Sequence, residues 1–519
     1  MWKQLKQLGR QSAIYGLGNV GISLLSFLLV PLYTHNISTS EFGVYSLMLI
    51  LYSVLSLVAD CGFTNSIARY YFDDELGTTA LKGITWYRQG LISTAMAITA
   101  AISVLLSLAC YASADLLARN LFGQPSFSGY IRIVAVTLLF RGLTAAPMIY
   151  LRVTERPLTY TTLTFLQIAL FLASNIVFVA VLKLGVNGIL YGLLASTVVY
   201  AVLLIGAIAR DLKPRLEKAV AKELFRFGLP FLPVLLLTWV IDFFDRYLLN
   251  HYTTMSEVGV YSLGYKFGQV MMFVVTAFTL GWVPIRFKML VLDDAKVVYG
   301  RVATFYLAGT GLVWLILTSF AREIIILSSP EAFHSASTYI APVAFGYLLY
   351  GLFVVSLTGV GVAKRSASLP LVMLVAAAIN IALNILFIPR VGAIAAAYAT
   401  IVSYAVMVAG GLYFSQRLYP IIYEYGKCAA LLAAMIALAV GITLGSKLAL
   451  TFNIAIKLIA LVSYMGFVFW VGVLNRAELR KLIELISRRS PRSVRAGLDS
   501  YVKRRFEASE SSGVEVTCP

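Results

Sequence analysis

Arg141 and Lys266 each stand within a long apolar run. An ionisable side chain there costs a few kcal/mol to insert and usually faces a bundle interior or an aqueous cavity. Such cations suit an anion, above all a phosphate, which an arginine grips with two parallel bonds. Thr137 and Thr144 put hydroxyls on the face of Arg141, four residues before and three after it. Ser262, Lys266, Gln269 and Thr276 fall at i, i+4, i+7 and i+14, one polar stripe on an otherwise apolar helix. Lys266 either lines a cavity or pairs with an acid. A second group, Asp242, Asp245 and Arg246, lies in another apolar run. Asp242 and Arg246 are i, i+4 neighbours, so an intrahelical ion pair is the simplest reading. The alternative is a carboxylate that leaves its pairing and titrates, coupling a cycle to protons or sodium. Asp60, followed by Asn65, Arg69, Tyr70 and Tyr71, forms a candidate gate, unless Arg69 is an ordinary basic residue of its side of the membrane. Asn175, Asn380 and Asn384 read as interhelical hydrogen bonds.

The elements that must carry these residues are membrane helices. Hydrophobic residues make up 60% of the 519-residue chain and charged residues 13%, against about 45–50% and about 25% in soluble domains. The expected fold is an all-α integral membrane protein of about fourteen transmembrane helices. Expected spans are 12–34, 42–63, 89–113, 130–151, 159–182, 186–209, 227–250, 258–284, 300–320, 337–360, 368–388, 392–414, 428–448 and 453–474. With the N-terminus inside, inner segments hold 32 lysines and arginines and outer ones 8. That asymmetry predicts a cytoplasmic N-terminus and a cytoplasmic C-terminus. It also accounts for the net charge of +18, and no nucleic-acid motif accompanies it. The polar, basic start MWKQLKQLGR argues against a cleaved signal peptide.

The chain repeats itself. Residues 40–47, SEFGVYSL, return at 256–263 as SEVGVYSL, with seven of eight positions identical across 216 residues. Ala195–Val202 likewise resembles Ala399–Val406. Matches at both ends of each half predict a duplicated six-span unit whose copies are related by an axis along the membrane normal. Two lobes follow, 12–209 and 227–414, joined by a cytoplasmic linker, 210–226. An amphipathic start, 1–11, two extra spans within 428–474 and a basic tail, 475–519, complete the chain. Leu479, Leu482, Ile483 and Ile486 among arginines predict an interfacial helix on anionic membrane lipid, ahead of a disordered end from about 506. Trp2, Leu5 and Leu8 beside Lys3, Lys6 and Arg10 predict a shorter one. The repeat sets Ile50 against Lys266 and Asp60 against Thr276, so the halves differ where function would need them to.

No enzyme constellation emerges: there is no phosphate-binding loop, no nucleophile with a base, and no carboxylate-rich metal motif. Cys61, Cys110, Cys428 and Cys518 have neither metal-ligand nor redox spacing. Neither cofactor nor metal is expected.

The segments LLSFLLVPLYTHNISTSEFGVYSL, ARYYF, FRFGLPFLP, DFFDRYLLN and EVGVYSLGYKFG resemble bacterial polysaccharide flippases of the Wzx type. These belong to the multidrug/oligosaccharidyl-lipid/polysaccharide exporter superfamily. The resemblance covers the first twelve spans and is most specific from Phe225 to Gly268. It implies two six-helix lobes around a cationic cavity that rock between inward-open and outward-open states. The implied activity is movement of an undecaprenyl-pyrophosphate-linked oligosaccharide to the periplasmic leaflet of the inner membrane. Polysaccharide polymerase and export proteins are implied as further partners. Lys266 and Arg141 match the cavity cations, with Gln269 and Ser262 beside them. Lipid II flippases carry charges in the first span and drug-extruding relatives an acid; residues 12–34 contain neither. Both nevertheless stand as alternatives, as does a membrane scaffold for a polysaccharide synthesis complex.

Overall fold

A computed structural model describes residues 27–71, 84–212, 215–291, 294–365, 367–445 and 450–473. The amphipathic start, most of the first span and the basic tail lie outside the described residues. Only helix has all its backbone bonds internal to one segment, which is what a single chain crossing hydrocarbon requires. Among the described residues every regular element is helical. Twelve helices are long and apolar enough to cross a membrane, and a bent pair, Lys218–Gly228 with Phe231–Tyr252, makes a thirteenth. These correspond one for one to expected spans two to fourteen; the first span is seen only from Phe27 onward.

Spans two, four, eight and ten are broken. Span two (Thr39–Tyr70) interrupts at Cys61 and Gly62, both with positive φ. Span four stops at Arg141 and restarts at Ala145. Span eight breaks at Gln269 and span ten at Leu357. Breaks in membrane helices free backbone groups, and they survive where protein or a cavity satisfies them. The stripe expected along span eight is therefore discontinuous. The interruption falls after Lys266, and Thr276, beyond it, is exposed.

The two halves meet through the repeated octapeptide. Span two crosses span eight (Met255–Phe287) at their first turns. A Cβ on Gly43 would lie 2.2 Å from the Met255 carbonyl, and one on Gly259 only 1.9 Å from that of Thr39. Only glycine permits this approach. Thr39 and Ser256 share a 2.7 Å hydroxyl hydrogen bond, the Thr34 hydroxyl donates to the Ser328 carbonyl at 3.1 Å, and Phe42 meets Phe333 edge-on. Each octapeptide also begins with a capped turn. Ser38 and Glu41 cap one reciprocally, while Thr254 accepts from the Glu257 amide. Glu257 additionally accepts from the Ala393 amide at 2.7 Å, tying span eight to the start of span twelve (Ile394–Leu418). At the far end of span two, the linker helix Lys218–Gly228 packs beneath the first lobe, with Ser66 donating to Leu224 and Tyr70 to Glu223, both at 3.1 Å.

Spans thirteen (Tyr425–Gly445) and fourteen (Asn453–Trp470) lean on span nine (Ala295–Ser328). The Tyr464 hydroxyl donates to the Ala308 carbonyl at 3.1 Å, and Lys457 pairs with Glu323 at 2.5 Å. Removing one partner of a fully buried pair costs about 3–5 kcal/mol. Lys457 is 4% exposed but Glu323 34%, so Lys457→Met is expected to destabilise by about 2–3 kcal/mol. Thermal unfolding in detergent measures this, and adding Glu323→Gln should recover most of the loss.

Candidate functional site

A cavity of about 500 Å³ lies in the half of the first lobe nearer the linker. One wall is span two, which presents Tyr52, Ser53, Ser56, Asp60 and Thr64 along a single helical face. The facing wall is the broken span four, with Arg141 at the end of its first segment and Arg152 near the end of its second. Leu235 of span seven covers it from the other lobe. At its upper end the Trp239 indole donates to the Ser53 hydroxyl at 2.8 Å, joining the lobes.

The charges in this cavity are held apart. The Arg141 guanidinium donates to the Thr144 hydroxyl across the break, so the threonine expected on its face is its partner. Asp60 accepts from Thr64 at 2.9 Å, spanning the break in span two. Among the described residues neither Arg141 nor Arg152 forms an ion pair, with Asp60 or any other acid. Arg69 points elsewhere: exposed, it stacks on Phe227 at 4.5 Å and does not approach Asp60 to form a gate.

Lys266 is absent from the cavity lining. Its ammonium sits 6.0 Å from the Phe27 ring centroid and has no acidic partner among the described residues. The first span, which carries Phe27, has no charged residue over 12–34. Ser262 is buried and its hydroxyl lacks a hydrogen bond. Gln269 donates to the Tyr347 hydroxyl at 3.4 Å.

The second lobe holds a separate buried network. Arg246 donates to the side chain of Asp245 at 3.0 Å and to the backbone carbonyl of Asp242 at 2.6 Å. The ion pair thus joins neighbours in sequence rather than the expected Asp242 and Arg246, and the arginine meets Asp242 through its backbone carbonyl. Tyr261 donates to Asp245 at 2.5 Å, and Tyr404 donates to Asp242. Tyr265 and Tyr347 share a 2.7 Å bond, and the Arg246 guanidinium lies 3.7 Å from the Tyr265 ring centroid. Asp245 and Arg246 are fully buried, while Asp242 is partly exposed. The network contains two carboxylates and one guanidinium. Among the expected interhelical amides, Asn175 accepts from Tyr33 of the first span at 2.9 Å, but Asn384 bonds Asn380 within its own helix.

Arg152 escaped detection in the sequence because it stands at a span end, where basic residues are expected anyway. The tyrosine partners gave no signal, being four among thirty.

The family described as polysaccharide biosynthesis protein matches residues 36–280. No curated protein matches the chain in sequence. Among solved structures, the lipid II flippase MurJ in its inward closed conformation superposes with a TM-score of 0.65 at 13% identity, covering 88% of this chain and 99% of its own. An inward-facing multidrug resistance MATE family transporter of the MOP superfamily gives 0.57 at 15%, covering 78% and 97%. A variant of the Vibrio cholerae MATE transporter VcmN gives 0.54 at 18%, covering 79% and 96%. These likenesses concern the fold. The family match over 36–280 covers just under half of the chain, and the fold that carries it is the one seen in MurJ and the MATE transporters.

Proposed function

We propose that the protein moves an undecaprenyl-pyrophosphate-linked oligosaccharide from the cytoplasmic to the periplasmic leaflet of a bacterial inner membrane by alternating access. The observation that carries this reading is the arginine wall. Two guanidinium groups without acidic partners among the described residues face one cavity, inside a region that matches polysaccharide biosynthesis proteins. Sugar hydroxyls cost several kcal/mol each in hydrocarbon without partners. A polar groove that leaves the isoprenoid in the bilayer removes most of that barrier, and arginines hold the pyrophosphate.

Lysine and arginine asymmetry makes the linker side cytoplasmic. The cavity then belongs to a loading state, with the octapeptide crossing as its closed periplasmic gate. Lys266, on the same helix segment as that crossing and without an acidic partner among the described residues, is the next cation on the outward path. An inside-negative potential adds about 2.3 kcal/mol per charge per 100 mV, so a dianion gains about 4–5 kcal/mol on crossing. Lipid II flipping and drug or cation antiport are less favoured, since the first span carries no charge. The basic tail supplies a docking surface for anionic lipid and for polymerase or export proteins.

The buried network is the coupling site in this reading. Two carboxylates and one guanidinium leave one surplus negative charge, which a proton or sodium ion would balance. Asp242, the partly exposed acid, is the group that exchanges it. Asp242→Asn is expected to abolish the response of flipping to an imposed proton or sodium gradient while leaving potential-driven movement. Transport in proteoliposomes under each gradient in turn checks this.

The deciding experiment is reconstitution of the full chain with a fluorescent polyprenyl-pyrophosphate saccharide, followed by quenching from one leaflet. Exchange above protein-free vesicles supports a flippase. No exchange, with polysaccharide synthesis proteins still assembling on the protein, supports the scaffold.

A further inference from the structure

The two walls of the cavity differ in chemistry, and the difference bears on what is carried. The arginine wall holds Arg141 and Arg152. The opposite wall is a ladder of hydroxyls around one carboxylate, Asp60. A carboxylate lining the same cavity as two arginines would ordinarily pair with one of them. Here it does not: Asp60 is engaged by Thr64 across the break in its own span, and the guanidinium groups have no acidic partner among the described residues. Both walls are thus free to act on a ligand.

We infer that Asp60 selects the sugar attached directly to the pyrophosphate, admitting a neutral, hydroxyl-bearing residue and rejecting an acidic one. This rests on the flippase reading above. A pyrophosphate diester brings two negative charges and matches the two arginines. Asp60 is then left with no cation, and an ionised carboxylate can only accept hydrogen bonds. Sugar hydroxyls are donors that bond a carboxylate in charge-assisted fashion. Tyr52 and Ser56 extend the same wall by up to two helical turns and add hydroxyls to it, while the Ser53 hydroxyl is held by Trp239 and the Ile50 carbonyl. A uronic acid would instead set a second carboxylate against Asp60 inside a partly desolvated cavity, where like charges are strongly unfavourable. Rejection built from an unfavourable contact is a general route to specificity.

The reach of this selection is limited by size. A volume of about 500 Å³ belongs to the range that encloses a drug-sized ligand. The pyrophosphate and its first sugar fill such a space, and the rest of the oligosaccharide extends beyond it. Acidic sugars further along the chain are therefore unread.

The test uses the full-length protein in proteoliposomes with three fluorescent polyprenyl-pyrophosphate lipids. One carries glucose, the second glucuronate at the proximal position, and the third glucose followed by a distal glucuronate. The glucose lipid and the distal-glucuronate lipid are expected to flip at similar rates, and the proximal-glucuronate lipid at least about tenfold more slowly. Asp60→Asn should bring the proximal pair within about threefold of each other, chiefly by accelerating the acidic lipid. If Asp60 serves only to bridge the break through Thr64, the substitution slows all three lipids alike and leaves their ratios unchanged, which overturns the inference. Equal flipping of both proximal lipids by the unmodified protein overturns it as well, with the flippase reading intact. Flipping of none of the three overturns that reading and this assignment together.

Discussion

Replacing Arg141 and Arg152 together by alanine is expected to slow flipping of a polyprenyl-pyrophosphate saccharide at least about a hundredfold. Each guanidinium lines the cavity without an acidic partner among the described residues, so its contacts with phosphate are not offset by a lost ion pair there. A hydrogen bond to a charged group contributes about 1.5–3 kcal/mol. Two such losses amount to about 3–6 kcal/mol, or about two to four powers of ten in rate if they fall on the crossing barrier. Single alanine variants should fall between, and lysine at either position should retain the charge but lose the two-pronged grip. Folding should survive, since among the described residues the Arg141 side chain bonds only Thr144. Leaflet-specific quenching gives the rates, and a thermal scan confirms the fold. A double variant that keeps more than half the native rate would show that the phosphate travels elsewhere.

The second large effect concerns the crossing of the octapeptides. Thr39→Cys combined with Ser256→Cys, in a protein whose native Cys61, Cys110, Cys428 and Cys518 are replaced, should cross-link under mild oxidation. The native hydroxyls are 2.7 Å apart, and a disulfide needs its β-carbons about 3.5–4.5 Å apart, a spacing this contact allows. Oxidation should reduce flipping to the protein-free background, and reductant should restore it, whereas neither single substitution should respond. Gly259→Val acts in the opposite sense. Its Cβ would fall 1.9 Å from the Thr39 carbonyl, so closure is blocked and residues at the crossing should become reactive to aqueous thiol reagents once converted to cysteine. Full transport by the oxidised double variant would mean that this crossing never parts.

The sequence made some of this legible and hid the rest for definable reasons. Arg141 was visible because a charge in hydrocarbon is expensive and therefore conspicuous. Arg152 lies three helical turns away at a membrane surface, where a basic residue costs little and says little. Lys266 looked like a cavity residue on helical periodicity alone. The break at Gln269 falls after Lys266 and separates only Thr276 from the stripe, while what Lys266 itself faces is decided by packing between helices, which no local pattern records. Asp242, Asp245 and Arg246 were found as a group but paired wrongly. Their spacing of four residues suggested one bond, whereas the arginine pairs with Asp245 and tyrosines of spans eight and twelve hold Asp245 and Asp242. Span number and order were readable almost throughout, because roughly twenty apolar residues per crossing is a requirement of the bilayer.

The octapeptide seam has a further property. Gly43 approaches Met255 while Gly259 approaches Thr39, and a shift of 216 residues carries each contact into the other. That reciprocity defines an isologous interface, the kind formed by two identical subunits about a twofold axis. The seam therefore has the geometry of a homodimer contact preserved within one polypeptide. In a true homodimer any substitution there would appear twice. Fusion into a single chain removes that constraint. One lobe can carry arginines for the ligand and the other a buried ion network, while the eight residues that once had to fit themselves still do.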